Sequence, residues 1–291
     1  MMTRTLGKNP FHPKEPIRDR EFFFGRRNEV REILGFLRSG QCVSVIGPGK
    51  IGKTSLLNHL SHPRVLEEHG LARSEHLFIY VDCRELADKG RAQWFSYLEA
   101  QLRQQVAQGS GVIVGHIGSC DDLSRVCEAL KRRGMKVLVF MLDTFESLIS
   151  NDQFDFDFFV NLRSLNTNSP VAFWTASGES IGELARKYLG GDPHGDTSPF
   201  SNIFAPFWLG TLSEEESRAL LKRYFASAGF VLPADSLDAI VDRIVERTSN
   251  HPYSIQWIGW HTVNIWHTNS YKWGAASEKK FLRCLRNLPD V

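Results

Sequence analysis

Between about residue 21 and residue 210, short unbroken apolar runs alternate with stretches in which apolar positions return every three or four residues. The unbroken runs are 41–47, 77–82, 136–142, 171–176 and 203–209. Continuous rather than alternating apolarity predicts parallel strands covered on both faces. The three-to-four spacing predicts helices over 27–38, 53–61, 90–107, 122–133, 154–165 and 178–188. Repeated β-α order predicts an α/β fold: a doubly wound parallel sheet flanked by helices, with ligand at the carboxyl ends of the strands. Residues 109–121 interrupt this rhythm and read as a loop or small insertion, and the Gly-, Asp-, Pro- and Ser-rich 189–201 read as a second, surface loop. After about residue 211 the strand runs stop, and helices at 213–228, 234–248, 252–268 and 276–287 predict a small bundle. Ser213 and Glu216 mark its start as a capping box. Before residue 21, Pro10, Pro13 and Pro16 recur every third residue, which blocks helix and favours an extended path. That arm is either disordered or laid across the main domain with Phe11 as an anchor. The expected domains are therefore an arm at 1–20, a nucleotide-binding domain at 21–210 and a helical lid at 211–291.

Composition narrows this picture modestly. At 291 residues and 42% hydrophobic content, the chain suits one larger α/β domain with a smaller one. No apolar run approaches the roughly 20 residues of a membrane span, and Met1–Arg4 lacks the apolar stretch of a signal peptide. Cys42, Cys83, Cys120, Cys127 and Cys284 are scattered with no Cys-x-x-Cys pair. That pattern argues against a zinc knuckle or a disulfide framework and for reduced thiols in a cytoplasm. A net charge of +2 decides nothing about nucleic acid.

The chemistry concentrates in Gly47-Pro48-Gly49-Lys50-Ile51-Gly52-Lys53-Thr54, which follows an apolar strand run and precedes a helix opened by Ser55. This is the Gly-x-x-x-x-Gly-Lys-Thr phosphate loop in its required setting. Glycines let backbone N–H groups converge on phosphates, and the helix N-terminus adds partial positive charge. Lys53 is expected to reach the β- and γ-phosphates and the Thr54 hydroxyl to complete a Mg²⁺ shell. The run 136–143 is an apolar strand ending in Asp143, the acidic partner expected to hold Mg²⁺ opposite Thr54. The chain is thus expected to bind a nucleoside triphosphate with Mg²⁺, and it carries no guanine-reading Asn-Lys-x-Asp motif.

Hydrolytic members of this strand order normally carry Glu directly after that aspartate. Here Thr144 stands there, and Glu146 is the nearest acid. A general base typically supplies ~10²–10⁴-fold, so slow hydrolysis is expected unless Glu146 substitutes, while binding survives. Phe23-Phe24-Gly25-Arg26 with Glu29 precedes the first strand. Phe24 is expected in the wall of an adenine pocket, with Arg26 and Glu29 pinning the segment by charge-assisted hydrogen bonds.

Phe24-Gly25-Arg26-x-x-Glu29, the loop at 47–54, Asp143-x-Phe145-Glu146 and Asn250-His251-Pro252-Tyr253, in that order, resemble the STAND branch of the AAA-like P-loop ATPases. Asn9-Pro10-Phe11 and Ser198-Pro199-Phe200-x-Asn202-Ile203-Phe204 point to its bacterial stand-alone type. The resemblance implies an ASCE-type core with a helical lid, working as an ATP-dependent switch whose opened protomers assemble. It also implies that His251 and Pro252 contact the base, with Asn250 where the family usually has Gly. Thr175 or Ser177 would then sense the γ-phosphate. Gly178 falls where related chains often carry Arg, so Arg163 is a candidate arginine finger for a neighbouring protomer, beside the plainer reading of a solvated helix charge.

Other features weigh less. Trp257 and Trp260 share one helix face and read as core, with a partner groove as the minority reading. His261 and His267 lack metal-ligand spacing, and Lys279, Lys280, Arg283 and Arg286 read as a solvated basic face. The preferred function is an ATP-gated switch, with weak ATPase activity at most, that acts through self-association or a separate effector protein. A DNA-associated AAA-type ATPase is the less favoured alternative, since basic charge is not concentrated and no winged-helix domain is read after the lid. A non-catalytic adaptor subunit stabilised by permanently held ATP is the third. No membrane role is expected.

Overall fold

The computed structural model describes residues 9–106, 113–190 and 200–290. The loops expected at 109–121 and 189–201 fall partly outside these residues, as do the N-terminal part of the arm and Ser198 and Pro199 of the family-like segment. The described chain divides into two compact units.

The larger unit comprises Arg27–Pro48 and Leu56–Leu209. It opens with α1 (Arg27–Arg38), whose buried Val30, Ile33, Leu34 and Leu37 form one apolar stripe at helical spacing. Then come β1 (Cys42–Ile46), α2 (Lys53–Leu60), the short α3 (Pro63–Glu68), β2 (His76–Asp82) and α4 (Arg91–Val106). α5 (Cys120–Lys131), β3 (Val137–Asp143), α6 (Glu146–Ile149), α7 (Phe156–Asn168), β4 (Val171–Ser177), α8 (Ile181–Tyr188) and β5 (Phe204–Trp208) complete it. All strand pairings are parallel, in the order β2-β3-β4-β1-β5. β3 and β4 are buried at every position, as their continuous apolarity predicts. Phe200, outside the strands, packs against Phe145, Phe159, Phe173 and Phe204.

β5 departs from the expectation of a strand covered on both faces. It lies at the sheet edge, its residues are half-buried or exposed, and Trp208 is 68% exposed. Pro206 fits that place, because an edge strand tolerates a residue that cannot donate to a ladder.

Of the described residues, the second unit comprises 9–26, Gly49–Ser55 and 210–290. Gly49–Ser55 of the phosphate loop and the described part of the arm thus group with the C-terminal helices, while Gly47 and Pro48 fall in the larger unit. Its helices are α9 (Glu214–Ser227), α10 (Ala234–Thr248), α11 (Pro252–Thr268) and α12 (Ala275–Arg286). The capping box forms as read: Ser213 Oγ accepts from Glu216 N, and the Glu216 side chain accepts from Ser213 N.

Phe11 is 1% exposed in this unit's core, packed against Tyr224 and Phe225. Asn9 Nδ2 donates to Trp260 O and Asn264 Oδ1, and His12 N donates to Gln256 Oε1. The arm is thus anchored through Phe11, but in the core of the C-terminal helices and not across the main domain, because the aromatic slot that takes the ring is formed by Tyr224 and Phe225. Trp266 is core and Trp257 packs against it, but Trp260 is 38% exposed. Turning of the helix carries Trp260 past the edge of the buried stripe, which corrects its reading as core. Lys279, Lys280, Arg283 and Arg286 are exposed on α12. No helix among the described residues is long and apolar enough to cross a membrane.

Candidate functional site

β1 ends at Ile46, and the loop that follows turns into α2 at Lys53. Gly52 has φ +102°, a conformation that L side chains rarely adopt, and a Cβ there would meet open space. The loop thus keeps free room where backbone N–H groups gather at a helix start. Gly47 N donates to Ser177 O at 3.2 Å, which ties the loop's first residue to β4. Lys50 adopts φ +62°, an uncommon conformation for a non-glycine residue. Its ammonium lies 4.2 Å from the centroid of the Tyr253 ring.

Within the second unit, Lys50, Ile51, Gly52, Lys53, Thr54 and Ser55 line a cavity of about 470 Å³. Arm residues His12–Ile17, together with Phe23, Phe24 and Arg26, form another part of its wall. Pro252, Tyr253 and Gln256 of α11 form a third. The volume lies in the range of small-molecule and cofactor pockets. Ser55 Oγ accepts from Ile17 N at 3.0 Å, so this residue also fastens the arm to the start of α2.

Arg26 is 5% exposed at φ +63°. Its guanidinium donates to Gly210 O at 2.6 Å, Thr211 O at 3.3 Å and Ile51 O at 3.4 Å, and its backbone N–H donates to Glu216 Oε1 at 2.6 Å. Arg26 thus pins the segment to backbone carbonyls, and its partner Glu216 of the capping box is one that local sequence does not reveal. His251 is the half-buried N-cap of α11 and Pro252 its first residue. Burial, followed by the nearby Lys50 and Arg26 charges, holds the His251 imidazole below its ordinary value. Pro252 lines the cavity.

The acidic candidates lie in the other unit. Asp143, 1% exposed, ends β3. Its Oδ2 accepts from Tyr80 Oη at 2.9 Å and its Oδ1 from Thr144 N at 3.0 Å. Burial and the adjoining Asp143 carboxylate push the Tyr80 phenol well above its ordinary value, so the hydroxyl remains a donor. Tyr80, on β2, was not read from sequence. Its only signal is a phenol two residues before the end of a strand that pairs with β3.

Thr144 has φ +53°, an outlier for a β-branched residue. Two residues on, Glu146 opens α6 half-buried, and its Oε2 has no hydrogen-bond partner among the described residues. A Cβ on Gly178 would lie 3.8 Å from Glu146 Oε1, placing this carboxylate beside the chain leaving β4. Burial, then Asp143, Asp82 and Glu146, push the Cys83 thiol well above its ordinary value. Thr175 is fully buried on β4, with Oγ1 unpartnered among the described residues, whereas Ser177 Oγ donates to Glu179 O at 2.7 Å. Arg163 is exposed on α7. No cluster of three or more His, Cys, Asp or Glu suited to a metal occurs among the described residues.

The family model for novel STAND NTPase 1 matches residues 16–253, a span holding the arm's end, the phosphate loop, the acidic strand end and the His-Pro element. The chain belongs to this STAND NTPase family. Among solved structures it is similar to the Walker-type ATPase of Pyrococcus abyssi, at 18% identity and TM-score 0.66, covering 94% of this chain and 76% of that one. It is also similar to the ORC2 protein of Aeropyrum pernix in ADPNP-ADP complexes, at 14% identity and TM-score 0.67, covering 98% and 73%. Domain III of the Thermotoga maritima replication initiation protein DnaA matches at 12% identity and TM-score 0.54, covering 94% and 98%. At such identities the likeness establishes fold: a parallel P-loop ATPase sheet flanked by helices. No curated protein sequence matches the chain. The STAND resemblance carried by the ordered motifs is thus established, and the chain is a nucleotide-binding NTPase of the P-loop type.

Proposed function

We propose that this STAND chain is an ATP-gated switch in which nucleotide at the phosphate loop sets the state of the C-terminal helices. One observation carries the reading. A single cavity is lined by the phosphate loop at Gly52–Ser55, by the arm at His12–Ile17 and by the first turns of α11. A nucleotide filling it touches all three, so its binding energy changes with any displacement of arm or helix, as a ligand-driven switch requires.

Gly49–Ser55 would hold the phosphates, Lys53 carrying the charge, while Phe24, Arg26 and the His251–Pro252 turn sit at the base end. The Thr54 hydroxyl and the Asp143 carboxylate are each hard oxygen donors of the kind Mg²⁺ would take, and each Asp143 oxygen keeps a lone pair beyond its one hydrogen bond. When bound, Mg²⁺ held by these groups would neutralise phosphate charge. Tyr80 and the Thr144 N–H fix the carboxylate's orientation, and Thr175 is the γ-phosphate sensor. Glu146, with its unpartnered oxygen, is the candidate for orienting water, and slow ATP hydrolysis is the expected activity. Arg163, exposed on α7, would serve a neighbouring protomer. The partners are further copies of this chain or a separate effector, in the cytoplasm.

Tyr80→Phe should weaken the Mg²⁺-dependent part of nucleotide binding by about tenfold, the usual scale for removing a group that orients a metal ligand. A Mg²⁺ titration of fluorescent-nucleotide affinity measures this, and an unchanged Mg²⁺ dependence would remove Tyr80 from the site. The switch itself is tested by size-exclusion light scattering with and without ATP·Mg²⁺, with phosphate release followed in the same samples. Assembly with ATP, lost in Lys53→Ala, is the expected result. A monomer that retains nucleotide and releases no phosphate would refute the switch and leave a nucleotide-stabilised adaptor.

A further inference from the structure

We propose that Lys50 is a second phosphate-loop cation whose ammonium exchanges between the Tyr253 ring and the terminal phosphate of a bound triphosphate, coupling nucleotide identity to the start of α11. The inference rests on the nucleotide reading above and adds to it the residue that distinguishes ATP from ADP.

Three observations meet at Lys50. It holds a left-handed backbone in the middle of the phosphate loop, strained for a lysine and relaxed for glycine. Its Nζ stands 4.2 Å from the Tyr253 ring centroid, a cation–π distance. Both residues line the cavity that also holds Lys53 and Thr54. The loop therefore presents two lysines to one cavity, one of them bound to a helix that belongs to the lid.

Tyr253 is the second residue of α11, directly after the His251–Pro252 turn. One turn further, Gln256 accepts the backbone N–H of His12 at 2.9 Å. A pull on Tyr253 is thus a pull on the helix start that also holds the arm. Around this point the positive charges crowd: Lys50 and Arg26 both act on His251 and disfavour its protonation. An anion relieves that crowding.

A phosphate oxygen is a stronger partner for an ammonium than a ring face, because the interaction is between full charges and is charge-assisted. The ring is the partner when the nucleotide ends too early to reach Lys50. A diphosphate leaves the lysine on Tyr253 and the helix start held to the loop, whereas a triphosphate draws it away and releases Tyr253. The affinity difference between the two nucleotides is then also the force on α11, since a ligand shifts a conformational equilibrium only by its differential affinity for the two states.

The test compares wild type, Lys50→Gly and Tyr253→Leu by calorimetric titration with ADP and ATP in Mg²⁺, and by hydrogen exchange across residues 251–258. Glycine suits the left-handed position, so Lys50→Gly keeps the loop's path, and a thermal melt checks this. Lys50→Gly should lose about tenfold in ATP affinity and no more than about twofold for ADP, the scale of one charge-assisted contact. In wild type, exchange across 251–258 should be faster with ATP than with ADP. In both variants it should be fast and indifferent to which nucleotide is bound. Equal losses for ADP and ATP, or a wild-type exchange pattern in both variants, would overturn the role of Lys50. A wild type that binds neither nucleotide would instead overturn the nucleotide reading beneath it.

Discussion

Gly259→Ala is expected to unseat Phe11 and destabilise the unit built from the arm and the C-terminal helices by about 3 kcal/mol. A Cβ on Gly259 would lie against the Cε1, Cδ1 and Cζ atoms of Phe11, closer than van der Waals contact allows. The ring has nowhere to retreat. Tyr224 meets it edge-on at 5.0 Å and Phe225 at 5.4 Å, and it is 1% exposed. Phe11→Ala should cost a similar amount, because it removes a buried aromatic from the same slot. The pair forms a decisive cycle. If the harm of the added methyl is its clash with the ring, Gly259→Ala adds nothing on top of Phe11→Ala, and the double variant is no less stable than Phe11→Ala alone. Urea denaturation gives the energies, and trypsin cleavage at Lys14, Arg18 and Arg20 reports release of the arm. Additive losses in the double variant would show that Gly259 matters for the helix itself rather than for Phe11.

Arg26→Ala should cost about 3–5 kcal/mol and weaken nucleotide binding as well. The guanidinium is buried and serves three carbonyls, those of Gly210, Thr211 and Ile51. Its removal leaves buried acceptors without a donor and empties the space it filled. Two of those carbonyls begin the C-terminal segment of this unit, and the third belongs to the phosphate loop, so one side chain fixes both. Arg26→Lys should rescue little, because one ammonium cannot reproduce a planar fork of donors. A fall in the urea midpoint at constant slope measures the stability loss, and fluorescent-nucleotide titration measures the functional one. Wild-type behaviour in Arg26→Lys would mean that charge alone matters there.

Much of the fold was legible because buried parallel strands and amphipathic helices leave opposite apolar signatures. The expected helix at 234–248 and the observed α10 coincide, and β3 and β4 differ from expectation by a residue at most. Failures came where topology outranks composition. Phe204-Ala205-Pro206-Phe207-Trp208 is as apolar as an inner strand, and only the strand order makes it an edge. α3 and α6, of six and four residues, are too short to show a helical period. At the candidate site, the phosphate loop and Asp143 leave a trace in the sequence because the chemistry expected of them needs fixed local spacing. Tyr80 on Asp143 and Lys50 on Tyr253 do not, since each pairing joins distant segments. Gly259 did leave one: a glycine within an otherwise apolar helix lowers helix propensity, which invites the question of what packs there.

The interweaving of the second unit bears on how a nascent chain acquires its pocket. Asn9 is joined to residues 251 and 255 positions later, His12 to one 244 positions later, and Arg26 to one 190 positions later. At ribosomal speeds of about 5–20 residues per second, the arm waits for tens of seconds before its partners are made. The larger unit lies between these segments in sequence and is fully synthesised by Leu209, so it can collapse first. The nucleotide cavity is then completed only when α11 emerges. Pro10 and Phe11 are translated well before the helices that receive them, so a chaperone that shields an exposed aromatic has its longest opportunity at this arm.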